Sequence, residues 1–265
     1  MRLSEPAFDA VVDMFHRVSG IRLAPSKRQL VVGRLQKLAS DKGYASLDDY
    51  VAGVIRGGAD REELVKVVDR LTTNETYFFR EPQHFTFMEE WLGSRRPSRD
   101  IRIWSAASSS GEEAYSIAML LSDRVGPSGW EVVGTDLSTA MVDAARRALY
   151  PMDRARQMPE GYLRRFCMKG QGPYEGQLLV NRAVRERVRF LSANLMQPLP
   201  EIGQFDIVFL RNVLIYFDPP AKKDIVQRVL PLIKPGGYLF TGHSESLSNL
   251  QLGLTTVRPA IYARA

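Results

Sequence analysis

The 265-residue chain holds one cysteine, Cys167, and three histidines, His16, His84 and His243, far apart in the sequence. A lone thiol excludes an internal disulfide, and histidines so spaced form no metal-ligand motif, so no metal is expected. Long apolar runs are also missing. The most apolar tract, FDIVFLRNVLIYF, is broken by Arg211 and Asn212, and MRLSEPAF at the start has no apolar core of signal-peptide length. A cytoplasmic protein without membrane insertion is therefore expected. Internal repeats are absent too, and glycine and proline are scattered, so the chain reads as globular.

What is present is enough for a substantial core: 45% of residues are hydrophobic. The length favours one larger domain with a smaller companion. A formal net charge of +6 suits an acidic partner, whether nucleic acid, a membrane face or a carboxylate-rich protein, and charge alone does not choose among them.

Residues 5–71 carry apolar positions at helical spacing in four segments. SEPAFDAVVDMFHRVSG closes on Gly20 and SKRQLVVGRLQKLASDKG on Gly43, while Ser46 with Asp49 and Asp60 with Glu63 give box-like starts for the third and fourth helices. A helical domain over 1–75 follows. A linker with a helix near 81–92 and the polar stretch GSRRPSRD fills 76–100. From 101 to 265 the pattern becomes short apolar runs alternating with helical segments: IRIWSA, EVVGTD, RVRFLSAN, FDIVFLRN and GGYLFTGH, then a pair of strands from LGLTTVRPAIYARA. Such alternation predicts an α/β domain around a seven-stranded, mostly parallel sheet. Residues 152–189 are too long for a plain connection and read as a small antiparallel β-subdomain.

In open parallel sheets ligands bind beyond the carboxyl ends of the strands, which directs attention to the polar residues there. The first strand runs into SAASSSGEEAYSIAM, where Glu112 and Glu113 open a helix. They either complement the helix dipole or meet a cationic ligand, and two carboxylates there would repel a phosphate. Asp136 ends VVGTD, positioned to take ribose hydroxyls or to cap the following helix. Asn194 can close a turn. Arg211 and Asn212 inside an apolar strand need partners, since burying them unpaired costs about 1–3 kcal/mol or more. Together these positions describe a nucleoside pocket without a phosphate site, as S-adenosylmethionine would require.

With NETYFFRE, SAASSSGEEAYSIAM, TDLSTAMVDAARRALY, ANLMQPLP, FDIVFLRNVLIYFD and GHSESLSNL in this order, the sequence resembles the chemotaxis receptor glutamate O-methyltransferases, the CheR family. The resemblance implies a Rossmann-like class I methyltransferase domain that moves a methyl group from S-adenosylmethionine to glutamates on the cytoplasmic helices of a chemoreceptor, releasing S-adenosylhomocysteine. Carried over by position, it implies cofactor contacts from Asn74, Thr76, Arg80, Glu112, Asp136, Asn194, Leu195, Arg211 and Asn212, with Tyr216 near the point of transfer. Arg80 is expected to position the substrate carboxylate, with Tyr216 as a hydrogen-bonding neighbour. Ala107, Ser108 and Ala114 stand where the family pattern has glycine, cysteine and proline. MKGQGPYEG resembles a loop with which some members grip a receptor's tail peptide, through Lys169, Gly170, Gly172 and Gly176. Lys169 replaces the usual arginine and cannot make the same bidentate contact.

A glutamate carboxyl, with a reference pKa of about 4.3, is already ionised at neutral pH, so the chemistry needs no general base. Alignment and exclusion of water are what remain for the protein to supply. In TTNETYFFRE the aromatics anchor the seam between the two parts, and Asn74, Thr76 and Arg80 face the pocket. Lys27, Arg34 and Lys37 lie on one side of the second helix, as a solvated face or as a stripe that steers an acidic receptor helix. Two rival readings are a nucleic-acid methyltransferase and a non-catalytic cofactor-binding scaffold. Asp218-Pro219-Pro220 lacks the following aromatic that would stack a flipped base, because Ala221 comes next, so nucleic acid is not expected as a partner. A monomer is expected.

Overall fold

In the computed structural model, which describes residues 1–57, 60–94 and 100–265, each of the first four helices begins or ends where its capping chemistry places it. Ser4 accepts from the Ala7 N–H to open α1 (Glu5–Ser19), and Gly20, at φ 76°, closes it. A 3-10 turn, Pro25–Lys27, leads into α2 (Arg28–Asp41). The Ser46 hydroxyl accepts from the Asp49 N–H at 3.1 Å to start α3 (Leu47–Tyr50), which runs on as a π-helical turn, Val51–Arg56. Asp60 accepts from the Glu63 N–H at 2.9 Å to start α4 (Arg61–Leu71). Their apolar faces meet around Phe8, Val11, Phe15, Leu35, Leu47 and Val67. Glu63 is buried among them and accepts from the Tyr50 hydroxyl at 2.9 Å.

After α5 (Pro82–Ser94) the stretch 95–99 of the expected linker lies outside the described residues. The second part then runs β1 (Ile101–Ala106), α6 (Glu112–Arg124), β2 (Trp130–Asp136), α7 (Thr139–Arg147), β3 (Leu149–Pro151), α8 (Tyr162–Phe166), β4 (Cys167–Lys169), β5 (Gln177–Val180), α9 (Arg182–Arg185), β6 (Val188–Ser192), β7 (Phe205–Leu210), α10 (Pro219–Val229), β8 (Ile233–Thr241), β9 (Leu254–Arg258) and β10 (Ile261–Arg264). Seven strands form one sheet in the order β6-β2-β1-β7-β8-β10-β9. The first five are mutually parallel, and β10 runs antiparallel to both β8 and β9. All six residues of β7 are buried, as a central strand covered on both faces requires. Ile207 and Phe209 join the core on one face, Val208 and Leu210 that on the other.

The chain leaves β1 toward β2 and β6 on one side and returns to β7 and β8 on the other. A crevice therefore opens above the carboxyl ends of β1 and β7. The antiparallel subdomain is a second sheet, β3-β5-β4. Its first strand begins at Leu149, a little before the expected 152, because a three-residue strand is too short to show a period of two.

Candidate active site

A cavity of about 390 Å³ fills the crevice and is walled by both parts of the protein. Its floor is the loop after β1. Ala107 (φ 59°), Ser109 (φ 50°) and Gly111 (φ 97°) all take the left-handed conformation, which coils the loop tightly enough for backbone to face the cavity. Only glycine serves at 111, since an added Cβ would lie 2.8 Å from the Ala145 Cβ. The coil directs the Ser109 N–H to the Asp136 Oδ2 at 2.8 Å, and the Ser138 N–H meets Oδ1 at 2.9 Å. Ser138, not Asp136, caps α7, accepting from the Met141 N–H at 3.2 Å. Asp136 is thus a lining carboxylate, held by two backbone N–H groups while burial pushes its pKa up.

Glu112 and Glu113 diverge at the first turn of α6. Glu113 lines the cavity, accepts from the Ser105 hydroxyl at 2.7 Å and lies 3.3 Å from Arg211 Nη1. Glu112 is buried away from it, accepting from the Ser110 hydroxyl at 2.6 Å, with Arg154 at 3.9 Å. Burial raises the pKa of both carboxyls, opposed at Glu113 first by Arg211 and at Glu112 first by the Ser110 bond.

Arg211 leaves the end of β7 with its side chain 1% exposed, between Glu113 and Glu81, whose Oε2 is 3.4 Å away, and it donates to the Arg80 carbonyl. Asn212, at φ 57°, donates through Nδ2 to Glu81 Oε1 at 3.0 Å. The guanidinium and amide thus find partners in the NETYFFRE segment. That segment is irregular rather than a strand. Phe78 and Phe79 are buried in the sheet core, and the Phe79 N–H donates to the Ser116 hydroxyl at 2.9 Å. Asn74, Thr76 and Arg80 line the cavity. Asn74 accepts at its carbonyl from the Ser109 hydroxyl at 3.3 Å, Thr76 accepts from Arg154, and half-buried Arg80 donates to the Glu75 carbonyl at 2.7 Å. Asn194, Leu195 and Tyr216 complete the wall.

Of the cationic stripe, Lys27 lies at the cavity, Arg34 donates to the Leu71 and Thr72 carbonyls at 2.8 and 2.9 Å, and Lys37 is exposed on α2. Lys169, Gly170, Gly172 and Gly176 belong to the β3-β5-β4 subdomain, outside the cavity wall.

Several contributors were not legible in sequence. Phe15, Ser19 and Ile21 of the helical part reach the cavity. The separation of the histidines in sequence is misleading: His84 and His243 stack with ring centroids 5.1 Å apart, their Nδ1 atoms 3.4 and 3.3 Å from Glu81 Oε2. These three could hold a metal ion by composition. The Arg211 guanidinium, 3.4 Å from the same oxygen, already places a positive charge there. The Glu81–His84 spacing of three residues on the helix entry was the one local signal.

The lining fits S-adenosylmethionine. Two carboxylates, at Glu113 and Asp136, suit an ammonium and ribose hydroxyls, and the acidic first turn of α6 disfavours phosphate. Among the described residues, Ser108 Oγ and the Arg211 Nε and Nη1, buried atoms of lining residues, have no hydrogen-bond partner, although Nη1 lies 3.3 Å from Glu113.

The sequence model of the family described as "CheR methyltransferase, SAM binding domain" matches residues 74–261, and that of "CheR methyltransferase, all-alpha domain" matches 6–72. A "Chemotaxis protein methyltransferase" of Salmonella typhimurium is 36% identical over 99% of this chain and 91% of its own length. "Chemotaxis protein methyltransferase 1" of Pseudomonas aeruginosa is 38% identical over 94% of this chain and 93% of its own. With both of its parts matched and the cavity between them, the chain belongs to the CheR methyltransferase family and is an S-adenosylmethionine-dependent methyltransferase.

Proposed function

We propose that the cavity methylates glutamate side chains on the cytoplasmic helices of chemoreceptors, yielding glutamyl methyl esters and S-adenosylhomocysteine and so adapting the signal. The observation that carries this is the convergence of Glu113, Asp136 and Arg80 on one cavity shared by the helical and α/β parts. Asp136 takes the ribose hydroxyls, and Glu113 receives the ammonium in the place the family pattern suggested for Glu112. Asn194 and Leu195 enclose the adenine side, and Asn74, Thr76, Arg211 and Asn212 complete the cofactor's surroundings.

The cofactor supplies a methyl group on a sulfonium, which needs no activation by the protein. The incoming glutamate arrives ionised, so what the chain must do is align it and exclude water. Arg80 orients that carboxylate, tethered to the Glu75 carbonyl so that its charge is positioned without a tight ion pair that would blunt the nucleophile. Tyr216, which also lines the cavity, offers its hydroxyl to the same carboxylate. Lys27 at the cavity and Lys37 on α2 attract an acidic helix, while Arg34 is engaged in holding the end of α4. The protein acts as a monomer.

A receptor tail peptide is a second partner. β4 is an edge strand of its sheet, carries Lys169 beside half-exposed Met168, and offers unpaired backbone to an extended segment. The turn that follows is tight: a Cβ at Gly170 would lie 1.9 Å from the Tyr174 carbonyl oxygen.

The test is methyl incorporation from labelled cofactor into a chemoreceptor cytoplasmic fragment. Label released as methanol by mild base, as a carboxyl ester requires, is the expected outcome. Base-stable label in nucleic acid, or cofactor binding without transfer, would overturn the proposal.

A further inference from the structure

Tyr216 and Asn212 reach the cavity from the loop that follows β7. It departs from β7 through Asn212 in the left-handed conformation, which asparagine tolerates better than most residues with a Cβ, and then folds into the short turn Leu214–Tyr216. A buried side chain from another loop bonds its backbone at two points. The Glu245 carboxylate accepts three backbone N–H groups: Asn212 at 2.6 Å and Gly242 at 2.7 Å through Oε2, and Ile215 at 3.1 Å through Oε1. Glu245 does not line the cavity and is 6% exposed.

Its own position is fixed in turn. Its carbonyl accepts from the Thr241 hydroxyl at 2.8 Å, and its N–H donates to the Gly242 carbonyl at 2.8 Å. The approach is close enough that a Cβ at Gly242 would lie 2.5 Å from Asn212 Nδ2 and 2.8 Å from Glu245 Oε2. Asn212 is therefore gripped twice, at its backbone N–H by Glu245 and at its side-chain amide by Glu81. The Ile215 bond fixes the turn one residue before Tyr216.

We infer that Glu245 is a positioning residue for methyl transfer, setting Asn212 for the cofactor and Tyr216 for the substrate without touching either ligand. The inference rests on reading Asn212 and Tyr216 as site residues. A carboxylate is the side chain suited to this task, because it offers acceptors on both oxygens and no donor. Glutamine in its place keeps the volume, leaves one oxygen for three N–H groups and turns an NH₂ toward one of them.

The test is a double-mutant cycle on S-adenosylhomocysteine affinity, by calorimetry on the full chain. Glu245→Gln and Asn212→Ala are each expected to weaken binding about tenfold or more. The double variant should bind within about threefold of the weaker single one, because Glu245 acts through Asn212. Independent, multiplying losses would mark Glu245 as a general fold residue and overturn the inference, as would an unchanged affinity in Glu245→Gln. Should Asn212→Ala itself bind normally, the reading of Asn212 fails first and the inference with it, a result distinguishable because Glu245→Gln alone then carries any loss. A second readout uses turnover at saturating cofactor. Glu245→Gln should lower kcat through Tyr216, and the loss should shrink when Tyr216→Phe is already present.

Discussion

The side-chain amide of Asn194 donates to the Val18 carbonyl at 2.7 Å, so a cavity residue from the loop after β6 holds the last turn of α1. The same side chain accepts from the Met196 N–H at 2.9 Å, closing its own turn. Gly20, just beyond α1, lies so near Met196 that a Cβ there would be 2.6 Å from its Cγ. Asn194→Ala should lower cofactor affinity about tenfold and speed amide hydrogen exchange near 18–22, because one direct bond between the two parts is lost. Asn194→Asp keeps the turn but sets a carboxylate against a carbonyl, and it should loosen the same amides. Unchanged exchange in both variants would show that the remaining contacts between the parts, among them the Asp69 bonds to the Thr139 hydroxyl and the Ala140 N–H, hold α1 without it.

Glu112 and Glu113 make a matched pair for assigning the ammonium site. Glu113→Gln removes a lining carboxylate and a partner of Arg211, and cofactor affinity should fall about tenfold. Glu112→Gln, whose parent faces Ser110 and Arg154, should bind within about twofold of the parent protein. Because burial raises the Glu113 pKa and the ammonium needs its ionised form, affinity should drop as pH falls through that raised value. The drop should be shallower in Glu113→Gln, where of the two lining carboxylates only Asp136, whose pKa burial also raises, remains to titrate. Titration calorimetry across pH 5–8 reads both effects.

Arg80→Ala separates substrate positioning from cofactor binding. Among the described residues the side chain donates to the Glu75 carbonyl and comes within 5.8 Å of the Tyr77 ring, and it reaches Glu113 only through space, so its removal leaves the hydrogen bonds of the cofactor's own partners in place. Turnover should fall about a hundredfold with cofactor affinity changed less than about threefold. Equal losses in both would assign Arg80 to the cofactor instead.

Ala107 stands at φ 59°, where the family pattern has glycine. Ala107→Gly relieves a left-handed alanine at the floor of the cavity and should stabilise the fold by about 0.5 kcal/mol after the loss of a methyl group and the added entropy of the unfolded chain. The urea midpoint with an unchanged m-value is the measurement.

Caps and strands were legible because their signals are local: Ser46 with Asp49, Asp60 with Glu63, and IRIWSA for β1 each need only a few neighbours. Arg211 and Asn212 stood out as polar groups within an apolar run, and Asp136 and Asn194 by lying at strand ends. The choice between Glu112 and Glu113 was not legible. Successive helical residues point about 100° apart, and only packing of α6 on the sheet sets which one turns inward. Glu81, His84 and His243 were still further from reach, since their meeting depends on the entry to α5 docking over the end of β8. The role of α1 in the cavity has the same origin: helix patterning identifies a buried face, not the surface that a second domain will cover.

That docking also makes a prediction about acid stability. His84 is fully buried, stacked on His243 and 5.2 Å from the Phe240 ring, and burial first, then the neighbouring Arg211 guanidinium and the His243 ring, lowers its pKa from 6.5 to about 3. The unfolded chain therefore binds a proton between pH 6.5 and 3 that the folded protein does not. The stabilisation is present above pH 6.5 and is lost as pH falls toward 3, with a slope approaching about 1.4 kcal/mol per pH unit for this one group. His84→Phe, which keeps the ring against Phe240, removes the proton-binding site from both states. Between pH 6 and 4 its stability should decline less steeply than that of the parent, by about one proton in the linkage slope, whatever the change in absolute stability. Urea unfolding at several pH values reads this directly, and parallel curves for the two proteins would mean that His84 takes up its proton in the folded state as readily as in the unfolded chain.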